Sequence, residues 1–148
     1  MLETAKIVTT GLFATLAMTL FSYVFSWIYK QNFREPELLN LLLDRLPKVN
    51  FNIAKEHIIG WAVHISIGCL FVFIFILLRE FYTIVLNLKT AVVFGVIAGT
   101  FGAGVWRLFF ALHPDPPQTK KWWFLFHLIF AHIVFGLVMV WSLKKMQG

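Results

Sequence analysis

Charge is scarce in this chain. Only 14% of its 148 residues are Asp, Glu, Lys or Arg, and 59% are hydrophobic. A soluble domain is about a quarter charged and about half apolar, so both departures point to lipid as the solvent. Cysteine is nearly absent as well. The single one, Cys69, stands inside an apolar run, which excludes an intrachain disulfide and makes it a small apolar filler. The seven acids, Glu3, Glu35, Glu37, Asp44, Glu56, Glu80 and Asp115, all fall at the ends of apolar runs or between them. An acid-free interior argues against the carboxylate relay of many proton-coupled transporters. No Ser/His/Asp or Cys/His arrangement stands out and no glycine-rich phosphate loop occurs. The sequence therefore leans away from an enzyme.

What the chain does have is apolar length. A bilayer core takes about 20 helical residues, and four runs reach that length: residues 7–29, 58–78, 90–112 and 122–143. Runs this long without turn signals read as helices. The first exceeds the h-region of a signal peptide, about 7–15 residues, and no small-residue cleavage site closes it, so it is expected to be a retained transmembrane helix. The net charge is +6, but the Lys and Arg residues cluster at run ends. Membrane proteins place cations there for anchoring, so the charge does not imply nucleic acid.

Three polar links join the runs, and short links favour an up-down bundle. In loop one, residues 30–55, Glu35, Pro36 and Glu37 suit a helix start. Leu38, Leu39, Leu42, Leu43 and Leu46 then follow helical spacing, which predicts a short helix lying in the membrane interface. Loop two, around residues 79–89, is short. Loop three carries Pro114, Pro116 and Pro117 and reads as extended. Loops one and three share one side, with seven cations (Lys30, Arg34, Arg45, Lys48, Lys55, Lys120 and Lys121). The other side has five (Lys6, Arg79, Lys89, Lys144 and Lys145), so the charge bias does not fix an orientation.

The second half echoes the first. His64-Ile65-x-x-Gly68 in the second run matches His132-Ile133-x-x-Gly136 in the fourth. Two hairpins of parallel topology would follow, an arrangement related by an axis along the bilayer normal. Small residues recur at four-residue spacing as Gly95, Gly99 and Ala103, as Gly60 and Gly68 around His64, and as Gly11 and Thr15. In lipid such stripes let helices approach closely; the functional alternative is a groove for a lipid or ligand.

The five histidines fall in the half-membrane next to loops one and three. At 1.5 Å per residue, His57 lies at the surface, His64 roughly 10 Å inside, His127 roughly 7 Å and His132 roughly 15 Å, with His113 closing the third run. Arg107 lies in the same half, where snorkelling to headgroups competes with an anion contact. An intramembrane histidine either fixes the rotation of its helix or serves a site. His64 and His132, on different helices at comparable depth, could bind a ligand or ligate a haem iron axially. A zinc site needs about four ligands, and His127 and His132 are five residues apart and diverge on a helix.

These residues carry a resemblance. Ala14-Thr15-x-x-Met18, Gly60-Trp61-x-x-His64-x-x-x-Gly68-x-x-Phe71 and His132-x-x-Phe135-Gly136 resemble an uncharacterised family of small bacterial four-helix inner-membrane proteins, a domain of unknown function. In that family Asp follows the methionine and Tyr follows the first histidine; here Thr19 and Ile65 stand there. The resemblance implies a bacterial inner membrane and a four-helix fold, and no activity.

The expectation is an all-α, four-helix transmembrane bundle of two repeated hairpins, one integral membrane domain over residues 1–148, with a short interfacial helix in loop one. Its leading function is non-enzymatic: binding a small molecule or lipid, or supporting a larger complex or homo-oligomer, with membrane lipids as partners. The candidate pocket is His64, His132, Gly60, Gly68, Gly136, His57, His127 and Arg107. The alternatives are a haem-bearing electron-transfer subunit using His64 and His132, and a small transporter.

Overall fold

A computed structural model describes residues 2–46 and 52–146, and Lys48, counted above with the loop-one cations, lies outside them. Five helices follow in chain order: α1 (Leu2–Tyr29), α2 (Glu35–Asp44), α3 (Ile58–Phe81), α4 (Leu88–Leu112) and α5 (Lys121–Lys145). Among the described residues there is no strand. All but α2 are long and apolar enough to cross a membrane. Large side chains on their outer faces, such as Leu20, Ile97, Phe101 and Phe126, stand exposed on the protein surface, as lipid contact requires. The chain is a multi-pass, all-α membrane protein.

Local chemistry sets the helix ends. α1 stops where Lys30 turns left-handed (φ 51°) and the Gln31 N–H closes back on the Ser26 carbonyl at 3.2 Å. The Ser26 hydroxyl then accepts the Phe33 N–H at 3.0 Å, so the chain doubles back and Phe33 enters the core. Asn87 caps α4 by accepting the Thr90 N–H at 2.9 Å. α4 ends at His113, the residue before Pro114, which cannot continue a helix.

The long helices are adjacent in the order α3, α1, α5, α4. Glycines set the closest approaches. A Cβ on Gly95 would sit 2.6 Å from the His132 carbonyl oxygen, and one on Gly11 would sit 2.6 Å from Cys69 Sγ. Gly68 packs on Thr15, and Gly136 on Ala91 and Gly95. Both glycines of the repeated His-Ile-x-x-Gly string thus sit where α3 meets α1 and where α5 meets α4, within each hairpin. No such seam joins α3 to α4. They meet through rings instead, Phe71 and Phe75 against Phe94 and Phe101, which hold the backbones apart.

Loops one and three lie together, as the up-down topology requires. His113 Nε2 is 2.9 Å from the Leu42 carbonyl, Thr119 donates to the Asn32 carbonyl at 3.1 Å, and Arg45 pairs with Asp115 at 3.6 Å.

α2 forms where loop one predicted a short helix, but it is buried among protein rather than lying on lipid. Leu38, Leu39 and Leu42 pack with Phe33, Trp106, Phe110, Phe124 and Leu128. Asn40 binds it to the start of α3. Its Oδ1 accepts the Gly60 N–H at 2.8 Å, and its Nδ2 donates to the Lys55 and His57 carbonyls at 2.9 and 2.7 Å. Glu37 adds ion pairs to Arg34 and Lys55, both at 2.9 Å. The first turn of α2, Glu35 to Leu38, therefore lies inside the bundle.

Candidate functional site

The gap between α3 and α4 opens into a cavity of about 340 Å³, within the usual range for a small-molecule site. Its walls are Met18, Leu39, Ile67, Leu70, Phe71, Ile74, Phe101, Val105, Trp106, Phe109, Leu128 and Phe135. Four polar side chains join them: Thr15 of α1, Glu35 of α2, His64 of α3 and His132 of α5. Ile67, Leu70, Ile74, Phe101 and Phe109 are exposed on the outer surface, so the mouth faces lipid. Towards loop two the space closes on the apolar core of Val72, Phe75, Phe135 and Met139. Grooves of about 470 and 490 Å³ lie at the loop-two end, but their polar lining residues, such as Asn87, Lys89 and Lys144, are exposed.

The hydrogen bonds fix what each histidine presents. Thr19 Oγ1 donates to the Thr15 carbonyl at 2.8 Å, so His64 Nε2, at 3.1 Å from the same oxygen, must carry the proton and donate to it. His132 Nδ1 lies 2.8 Å from the Leu128 carbonyl and donates there. Its Nε2 is left as an acceptor at the edge where Gly102 lines the cavity.

Glu35 is the residue the sequence concealed. It reads as a helix-start acid in a loop, yet it is 1% exposed and its carboxyl lies inside the bundle. Ser22 Oγ donates to Glu35 Oε1 at 2.7 Å, and His127 Nε2 is 2.9 Å from the same hydroxyl. Glu35 Oε2 and His127 Nδ1 have no hydrogen-bond partner among the described residues. Burial pushes the Glu35 carboxyl up to about 7, against the opposing pull of its bonds to Ser22 and to its own backbone N–H. The absence of acids inside the apolar runs holds, but a loop acid folds back among them.

Ser22, His127 and Glu35 are the residue types of a hydrolytic triad in the wrong order. Such a triad needs the acid on the far nitrogen of the imidazole. Here the carboxylate accepts from the serine and His127 Nδ1 faces no acid. Ser22 is also fully buried. The arrangement is a hydrogen-bond chain, not a nucleophile.

The other sequence candidates have separate positions. Gly68 lines the cavity with His64 and His132. Gly60 makes room for α2 instead, since a Cβ there would meet the Pro36 carbonyl and Asn40, and Gly136 makes room for α4. His57 is exposed and caps α3, its Nδ1 accepting the Ile59 N–H at 3.2 Å. His127 stacks on Phe21, Phe25 and Phe33 at centroid distances of 5.4, 4.6 and 5.4 Å, on the α1–α2 side and away from His132, as their five-residue separation requires. Arg107 is exposed and lies over the Trp122 ring at 5.9 Å. Among the described residues no group of three or more His, Cys, Asp or Glu could hold a metal ion.

Comparisons with family models, with curated proteins and with solved structures find no match to this chain.

Proposed function

We propose that this chain is a non-enzymatic protein of a bacterial inner membrane that takes an amphiphilic small molecule or lipid from the bilayer, through the gap between α3 and α4. The observation that carries this reading is the cavity. Its mouth is edged by lipid-exposed residues, and His64, His132 and Glu35 lie within. An apolar body with a few convergent polar groups is the usual form of a small-molecule site. The resemblance to the uncharacterised four-helix inner-membrane family supports the choice of membrane. A transporter would need a polar route through the other half. That half is filled with apolar side chains, and its buried Thr10 and Ser142 are spent on each other at 3.3 Å. Of the two His64 nitrogens Nε2 is bonded to Thr19, so an axial bond to a haem iron would have to use Nδ1.

The test is lipid extraction and mass spectrometry of the protein purified in a mild detergent. Gly102 lines the cavity opposite the His132 ring, so Gly102→Phe fills it. A co-purifying amphiphile, at roughly one per chain, is expected to fall by about tenfold in Gly102→Phe and in a His64→Ala/His132→Ala double variant, since losing about 1.4 kcal/mol of binding costs a factor of ten. Equal recovery from all three folded proteins would sink the proposal.

A further inference from the structure

The polar lining does not accept every amphiphile equally. Resting on the cavity-binding reading above, we infer that Glu35 is the head-group end of the cavity and that its ligand donates hydrogen bonds, as a hydroxyl or a protonated amine does, rather than carrying a negative charge.

Three observations lead there. First, Glu35 Oε2 is buried without a partner while Oε1 is taken by Ser22, and Glu35 lines the cavity. A buried carboxyl oxygen without a hydrogen bond is costly to keep, and a ligand donor removes that cost. Second, His132 spends its proton on the Leu128 carbonyl, which leaves Nε2 as a second acceptor on the lining. The cavity is therefore rich in acceptors. Third, among the described residues no Lys or Arg lines it. Arg34, the chain neighbour of Glu35, and Lys55 are both held by Glu37. Arg107 and Lys121 line a different hollow on the outer face, with Trp122. A phosphate or carboxylate head would lie beside Glu35 with no cation to offset the repulsion, which excludes it by the ordinary rule for buried charge.

The test compares three probes that share a twelve-carbon chain and differ at the head: dodecylamine, 1-dodecanol and dodecanoate. Each is added at equal concentration to the full chain in detergent, and the unfolding midpoint is read, since a ligand that binds only the native state raises it. Dodecylamine, 1-dodecanol or both are expected to raise the midpoint by about 5 °C, with dodecanoate leaving it unchanged. Which one responds identifies the head. Glu35→Leu removes the acceptors and is expected to abolish the response to either. Glu35→Gln keeps an acceptor without the charge and is expected to abolish the amine response alone. A dodecanoate shift as large as the others overturns the inference while leaving the cavity-binding reading standing, as does a shift that survives Glu35→Leu. Should Glu35→Leu not fold, the dodecanoate comparison still decides. No shift with any probe overturns the cavity-binding reading itself, and this inference with it.

Discussion

Glu35 and His127 face each other at 3.9 Å with the Ser22 hydroxyl bonded to both. One proton per link sets the direction of the chain. With Glu35 ionised, Ser22 donates to the carboxylate and His127 donates to Ser22, which places the imidazole proton on Nε2. With Glu35 protonated, the carboxyl donates to Ser22, whose own proton is released to the Met18 carbonyl at 3.2 Å or to His127.

The stability of the protein is expected to carry the signature of Glu35. Its folded value of about 7 lies above the ordinary 4.5. The carboxyl is therefore easier to bury protonated, and its favourable contribution is fully present below about pH 4.5. It is lost as pH rises to about 7 and stays lost above. A shift of that size corresponds to about 3 kcal/mol. The titratable and charged groups around it are His127 on α5, Tyr23 on α1, and Arg34 and Glu37 beside it in the chain. In Glu35→Gln, which stays neutral, unfolding midpoints are expected to be flatter between pH 4.5 and 7 and higher than the parent's at pH 8. Parallel profiles for the two proteins would show that Glu35 is not buried as described.

Asn40 holds α2 in place, and its removal is expected to be expensive. The side chain is fully buried and makes three hydrogen bonds to backbone at the start of α3. Asn40→Ala leaves the Gly60 N–H and two carbonyls unpaired, for a loss of about 2–4 kcal/mol. Asn40→Asp keeps the acceptor for Gly60 but cannot donate to Lys55 and His57, so it is expected to lose most of the same stability. Chemical or thermal unfolding in detergent measures both. A change under about 0.5 kcal/mol for Asn40→Ala would mean that α2 does not dock on α3.

Much of this was written in the sequence. The four spans follow from apolar length alone, and α1, α3, α4 and α5 begin or end within a few residues of the expected positions. Depth arithmetic at 1.5 Å per residue put His64 and His132 at similar levels, and both line the one cavity. The position of α2 was not legible. Its leucines fit a lipid-facing helix as well as a protein-facing one, because lipid and core are equally apolar. What settles it is the left-handed turn at Lys30, which carries no glycine to announce it. Asn40, the polar residue in the middle of the leucine stretch, was the available signal. The sequence places Gly60 and Gly136 in the pocket beside Gly68, but neither lines the cavity, because a missing side chain does not say whose atoms fill the gap. At Gly60 it is the Pro36 carbonyl and the Asn40 side chain, and at Gly136 the backbone of Ala91 and Gly95.

The most direct measurement is the fluorescence of Trp106, which lines the cavity while only 8% exposed. In a protein retaining Trp106, with Trp27, Trp61, Trp122, Trp123 and Trp141 replaced by Phe, lipids brominated along the acyl chain are expected to quench it in nanodiscs. Gly102→Phe in the same background is expected to remove most of that quenching. Strong quenching in the first protein and its loss in the second would place a chain inside the gap between α3 and α4. Absent quenching, or quenching that Gly102→Phe leaves unchanged, would contradict the account.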